Sequence, residues 1–177
     1  MSRAVLSIGS NIGDRLACLQ SVVDALGEAA IAVSPVYETE PWGGVPQDRF
    51  LNAVILADDP DLDHYGWLRL GQRLEEVNQR VREQRWGPRT LDVDVISCTR
   101  GDGADVVLDE PDLTLPHPRA RSRAFVLAPW LAADPDAVLR VDGHARPVGE
   151  LLAELAPGER DGVRPTELVL ILGRDAS

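Results

Sequence analysis

The chain has 177 residues, 44% hydrophobic and 27% charged, with a formal net charge of -11 at pH 7. That length suits one well-packed domain, and the acidic balance excludes general binding of nucleic acid or anionic membrane, both of which need a basic surface. All 18 basic residues are arginine, which excludes a phosphate loop of the G-x-x-x-x-G-K-[ST] type for want of its lysine.

Ala4 to Ile8 reads as a first strand, closed by the turn-rich Gly9-Ser10-Asn11-Ile12-Gly13. Asp14 then starts a helix in which Leu16, Leu19, Val23 and Leu26 recur at helical spacing, with Gly27 as its stop. Ala30 to Tyr37 is a second strand, and Pro35 marks it as an edge or a kink. Glu40 to Pro46 is a loop, and Phe50 to Leu56 a third strand. A second amphipathic helix carries Trp67, Leu70, Leu74, Val77 and Val81 on one face and stops near Arg82, ahead of Gly87-Pro88. Leu91 to Cys98 is a fourth strand. This order predicts an α+β fold with a ferredoxin-like βαββαβ core: a mostly antiparallel sheet with two helices on one face. A C-terminal α/β elaboration follows. It comprises a hairpin of Val106 to Leu108 with Leu113 to Leu115, helices near Ser122 to Leu131 and Pro147 to Leu155, and an apolar strand at Thr166 to Leu172. With no repeat and no low-complexity linker, residues 1–177 read as a single domain.

Cys18 and Cys98 form no C-x-x-C pair and sit with no histidine cluster, so neither structural zinc nor a disulfide framework is indicated. The first residues lack the make-up of a signal peptide. No apolar run approaches the roughly 18 residues that span a membrane. The cytoplasm is the expected location.

Chemistry concentrates in three places. Asp92 and Asp94 lie at i and i+2 on a strand, so their carboxylates share a face. Burying two such groups costs several kcal/mol each unless a cation compensates them. The pair is either a solvent-facing strand edge or a site for a hard divalent ion such as Mg²⁺. Four arginines fall between Arg80 and Arg89, and Arg119, Arg121 and Arg123 follow Pro116-His117-Pro118. Singly each is a surface residue; beside an acidic pair they match what polyphosphate binding requires, with carboxylates on the metal and guanidinium groups on phosphate oxygens. Trp42, Phe50, Trp86 and Phe125 lie near these groups, either as core or as a clamp on a flat heterocycle whose edge Asn52 reads.

The segment Arg85-Trp86-Gly87-Pro88-Arg89-Thr90-Leu91-Asp92-Val93-Asp94-Val95-Ile96 resembles the signature of the 6-hydroxymethyl-7,8-dihydropterin pyrophosphokinase family. Further matches are Ile8-Gly9-Ser10-Asn11, Tyr37 to Gly43, Phe50-Leu51-Asn52-Ala53, Glu75 with Arg80 and Arg82, Leu115-Pro116-His117-Pro118, and Arg123 to Leu127. The resemblance implies a ferredoxin-like fold. It also implies transfer of the β,γ-pyrophosphoryl group of ATP to a pterin hydroxymethyl group, releasing AMP, in folate biosynthesis. It assigns two Mg²⁺ ions to Asp92 and Asp94, and phosphate contacts to Arg80 and Arg89. Nucleotide contacts or proximity fall to Glu75, Arg82, Trp86, Val95, Thr114, His117, Arg121 and Arg123. Phe50 and Phe125 are to sandwich the pterin, with Asn52, Thr39, Glu40, Pro41 and Trp42 at its edge. Its partners are then small molecules, ATP and the dihydropterin alcohol, and a stand-alone monomer is expected.

Glu40, Asp112 and Pro118 replace a proline, an arginine and a tyrosine found in some members. Two other readings stand beside this one: a non-catalytic ferredoxin-like module binding nucleotide or metal, and another Mg²⁺-dependent phosphoryl or nucleotidyl transferase. The first has no need of both an arginine cage and an aromatic clamp; the products of turnover separate the second.

Overall fold

The computed structural model describes residues 1–41, 46–78 and 90–173. β1 (Ser2–Ser10) outruns the expected strand by two residues at each end and turns into α1 (Arg15–Leu26). The Asp14 carboxylate caps α1 by accepting the Ala17 amide at 3.1 Å, a contact that contributes about 1 kcal/mol. Leu19, Val22, Val23 and Leu26 form the buried stripe of the helix.

The expected second strand is divided into β2 (Ala30–Val33) and β3 (Tyr37–Thr39). Pro35 has no amide to offer a ladder. Ser34 substitutes locally: its amide donates to Val54 O and its Oγ accepts from the Val54 amide, both at 2.9 Å. β2 and β3 therefore pair with successive segments of one antiparallel partner, β4 (Phe50–Asp59). α2 (His64–Val77) follows, capped by Asp63, whose carboxylate accepts the Gly66 amide at 2.7 Å. β5 (Asp92–Arg100) completes the βαββαβ core.

Along α2 the buried residues are Trp67, Gly71, Leu74 and Glu75, whereas Val77, expected on the apolar face, is 78% exposed. The helix turns its glycine inward. A Cβ at Gly71 would stand 3.0 Å from Val93 Cγ1, so the close approach of α2 to β5 depends on the missing side chain. Val81, expected on the same face, lies outside the described residues.

Beyond β5 the chain forms the short ribbon β6 (Leu108–Asp109) and β7 (Thr114–Leu115), then α3 (Ala124–Ala133) and the hairpin β8 (Val138–Val141) and β9 (His144–Pro147). α4 (Val148–Glu154), α5 (Pro157–Asp161) and β10 (Val163–Pro165) follow. The main sheet has the order β10-β3-β4-β1-β5, with β2 also on β4 and every pairing antiparallel. The last strand is thus Val163–Pro165 rather than residues 166–172. There the Thr166 amide and hydroxyl both donate to Val36 O, at 3.0 and 2.7 Å, and Gln20 holds Ile171 through both its amide and its carbonyl.

Two cores sandwich the sheet. One lies under α1 and α2 and includes Leu6, Ile8, Leu19, Ile55, Trp67 and Leu91. The other lies under α3 and α4 and includes Val54, Ile96, Val126, Leu127, Trp130 and Leu151. Within the C-terminal elaboration, α3, α4 and the β8–β9 hairpin therefore cover the second face, whereas Val106, Leu113, Leu115 and Leu170 join the first core. No helix among the described residues is long and apolar enough to cross a membrane.

Candidate active site

The site forms on the second face of the sheet, beside the start of α3. Strand alternation divides β5 between the two layers: Val93 and Val95 enter the core under α1 and α2, and Asp92 and Asp94 share the opposite face with Ile96. Both aspartates are half-buried. Across the ladder Asp92 stands opposite Gly9 and Asp94 opposite Ser7. On the other side of β1, Gly9 stands opposite Asn52, which in turn stands opposite Tyr37. One register row, Tyr37-Asn52-Gly9-Asp92, therefore crosses four strands.

Gly9 keeps that row low. A Cβ there would lie 2.5 Å from Asn52 Nδ2 and 3.6 Å from Phe50 Cδ1, so the glycine makes the space in which both side chains sit. Asn52 is buried, and the buried Thr39 hydroxyl donates to its Oδ1 at 2.6 Å. Its Nδ2 donates to Ile8 O at 3.4 Å. Phe50 is half-buried and stands opposite Thr39. Just beyond, the Glu40 side chain pairs with Arg49 at 3.1 Å and its amide donates to Gly162 O; Pro41 follows, half-buried.

α3 brings the third wall. Arg123 is only 8% exposed, and its guanidinium carbon stands 5.4 Å from the centre of the Phe125 ring, within cation–π range. Burial pushes its pKa down, and Asp94 is the largest opposing influence, joined by Asp92 and Glu159; Arg119 adds to the lowering. A guanidinium keeps its charge under such conditions, so Arg123 is the buried cation facing the two carboxylates. A cis peptide joins Leu115 to Pro116, and the His117 that follows donates its amide to Ile96 O at 2.8 Å. His117 Nδ1 accepts the Arg119 amide at 3.2 Å. Burial, then Arg123, then Arg119 push its pKa down to about 4. At neutral pH the ring is uncharged, with its proton on Nε2.

The other expected residues are spread more widely. Glu75 is 5% exposed near the end of α2, in the layer opposite Arg123. The Val95 side chain lies in the first core, so contact with a nucleotide there falls to backbone atoms. Thr114 sits half-buried on β7, opposite Asp109. Arg121 pairs at 3.2 Å with Asp142 in the turn between β8 and β9. Arg80, Arg82, Trp86, Arg89 and Trp42 lie outside the described residues.

Sequence reasoning did not single out Gly9, Ser7 or the hydroxyl of Thr39 as parts of the site. The available signal was Gly-Ser-Asn directly after an apolar strand, which marks a backbone that something approaches closely. Asn11 was missed in the same way: its Nδ2 donates to Gln47 Oε1 and to Asp48 O, both at 2.9 Å, and so ties the loop before β4 to the end of β1. Asn11, Gln47 and Asp48 line a polar cleft of about 550 Å³ together with Arg15, Glu38, Glu40 and Arg49.

The family model described as 7,8-dihydro-6-hydroxymethylpterin-pyrophosphokinase (HPPK) matches residues 5–135. A 2-amino-4-hydroxy-6-hydroxymethyldihydropteridine pyrophosphokinase of Mycobacterium leprae is 60% identical over 181 residues, covering 99% of this chain and 95% of the relative. Its namesake from Mycobacterium tuberculosis is 57% identical over 168 residues, covering 93% and 89%. Among solved structures, Plasmodium falciparum HPPK-DHPS superposes with a TM-score of 0.59 at 14% identity, over 87% of this chain and 43% of that one. That likeness speaks for the fold alone, and the chain spans less than half the length of the solved chains it matches.

Proposed function

The chain belongs to the 7,8-dihydro-6-hydroxymethylpterin-pyrophosphokinase family, and from that premise we propose how its residues divide between nucleotide and pterin. The reaction transfers pyrophosphate from ATP to the hydroxymethyl group of 6-hydroxymethyl-7,8-dihydropterin, releases AMP and serves folate biosynthesis. ATP is the co-substrate and the transfer is Mg²⁺-dependent.

The observation that carries the assignment is the row Tyr37-Asn52-Gly9-Asp92. It sets a buried amide able to read a heterocycle on the same face as a carboxylate pair, with only glycine between them. Asp92 and Asp94 suit a hard cation, and among the described residues no group of three or more His, Cys, Asp or Glu converges. Such a pair leaves most of the oxygen shell to phosphate oxygens and water, the usual arrangement for Mg²⁺ on a nucleotide. When bound there, two Mg²⁺ ions would neutralise phosphate charge and lower the pKa of the attacking hydroxyl.

The protein's own groups do the positioning, on which phosphoryl transfer chiefly depends. Arg123 offers a buried charge to phosphate oxygens; one such preorganised contact is worth roughly 3 kcal/mol in the transition state. Phe125 and Phe50 hold the pterin ring between them. Asn52, its Oδ1 held by Thr39, keeps one Nδ2 hydrogen and one Oδ1 lone pair for the ring edge, with Glu40, Pro41 and Trp42 beside it. Neutral His117 contacts the nucleotide as a hydrogen-bonding group. Arg121 joins it there on leaving Asp142, a pair exposed enough to be weak. Glu75, Val95 and Thr114 stand near ATP by family resemblance. Arg80 and Arg89 take the phosphates on the same ground, with Arg82 and Trp86 supporting the nucleotide. We further assign residues 1–177 to one pyrophosphokinase domain, since both cores share one sheet, and we propose that it acts as a cytoplasmic monomer.

Product analysis tests the whole reading. ATP, Mg²⁺ and 6-hydroxymethyl-7,8-dihydropterin should give AMP and pterin diphosphate one for one. ADP as the only nucleotide product, or no turnover with this pterin, overturns it.

A further inference from the structure

Glu159 lies in α5, outside the residues matched by the family model. Its Oε1 accepts the Ala124 amide at 3.3 Å. That amide opens α3, at an end where Arg123 provides no side-chain cap. First-turn amides have no carbonyl partner within their own helix, and a carboxylate there also meets the positive end of the helix dipole. The Arg123 guanidinium feels the Glu159 charge as well.

The same stretch of chain reaches the opposite wall of the site. Gly162 O accepts the Glu40 amide at 3.1 Å, and Val163 pairs with Thr39. Residues 159–163 therefore touch both walls of the site: Thr39 and Glu40 at the end of β3, and Ala124 at the start of α3.

We propose that Glu159 is a positioning residue for pyrophosphoryl transfer. It fixes the first turn of α3 and so sets the Arg123 guanidinium and the Phe125 ring relative to Thr39 and Asn52. The inference rests on the assignment of Arg123 and Phe125 to the substrates given above.

Three variants of the full chain test it: Glu159→Ala, Glu159→Gln and Glu154→Ala, the last breaking an exposed pair with Arg146. Hydrogen exchange at the Ala124 amide reports the contact without any substrate. Pterin dissociation constants and the KM for ATP report its consequence. Glu159→Ala should speed exchange at Ala124 about tenfold, because a first-turn amide loses its acceptor, and weaken pterin binding about fivefold through misplacement of the ring. Glu159→Gln retains an acceptor oxygen and should recover both to within about twofold. Glu154→Ala should change neither. Unaltered exchange in Glu159→Ala overturns the contact. Faster exchange with unaltered pterin and ATP constants overturns the positioning role, as does a Glu159→Gln variant as impaired as Glu159→Ala. Phe125→Ala, run in parallel, separates the premise from the inference. Full pterin binding in that variant removes the ring assignment, and the positioning role with it, whatever the exchange result.

Discussion

At the scale of single residues the site depends on charges held where water reaches them poorly. Asp94→Ala should reduce turnover by about a thousandfold or more, as expected when a preorganised electrostatic contact is lost, with an unchanged circular dichroism spectrum. A near-normal rate in that variant would remove the carboxylate from the mechanism. His117 makes a second prediction through stability. Its pKa in the folded protein is about 4, below the ordinary value of about 6.5. Between these values the unfolded chain takes up a proton that the folded chain refuses, so stability falls as pH drops from about 6.5 towards 4. The loss is at most about 3 kcal/mol, since each tenfold difference in proton affinity is worth about 1.36 kcal/mol, and partial exposure of the ring to solvent reduces it further. His117→Asn keeps an acceptor for the Arg119 amide and abolishes the titration. Urea unfolding across that range should be visibly flatter in this variant, and an equal slope would place the acid sensitivity elsewhere. The aspartate pair was legible in the sequence because strand alternation alone puts i and i+2 on one face. The bond from Thr39 to Asn52 was not, because strand register decides which residues meet.

At the scale of elements, β1 acts as the spacer between the two halves of the site. Gly9→Ala should place a methyl group on the Asn52 amide. Such overpacking costs about 1–3 kcal/mol. With the amide displaced, the KM for pterin should rise about tenfold, the consequence of a disturbed polar anchor, while the KM for ATP changes by less than about twofold. Equal rises for both substrates would contradict the division of the row into a pterin half and a metal half. Most elements were readable from caps and periodicity, as Asp14, Gly27 and the α1 stripe illustrate. The reading failed where a local feature overrode the pattern. Ser34 and Pro35 split one strand into β2 and β3, and Gly71 drew α2 against β5 so that Val77 faces solvent.

At the scale of the whole molecule, ligand binding and stability are linked. Mg²⁺ with ATP at about a hundred times its dissociation constant should stabilise the fold by about 2.7 kcal/mol, or roughly 5–10 °C in Tm for a chain of this size. A chelator should abolish most of that gain, as should Asp94→Ala; a full shift in the variant would point to metal binding at other groups. The second core beneath α3 and α4 was only partly foreseen, because helical periodicity identifies a helix without saying which face of a sheet it will cover. Arg123 and Phe125 were named from the sequence, but the elements that aim them, α5 and β10, were not.

The pairing of β10 with β3 bears on how the protein acquires its shape. It joins residues 37–39 to residues 163–165, the most distant partners in the sheet, whereas β1 meets β4 and β5 over shorter spans of chain. Contacts between distant residues repay their loop-closure entropy only after nearer ones have formed. The core strands β1, β4 and β5, which carry the two aspartates, are thus placed to assemble early in refolding. The wall formed by Thr39, Glu40 and the start of α3 then closes last.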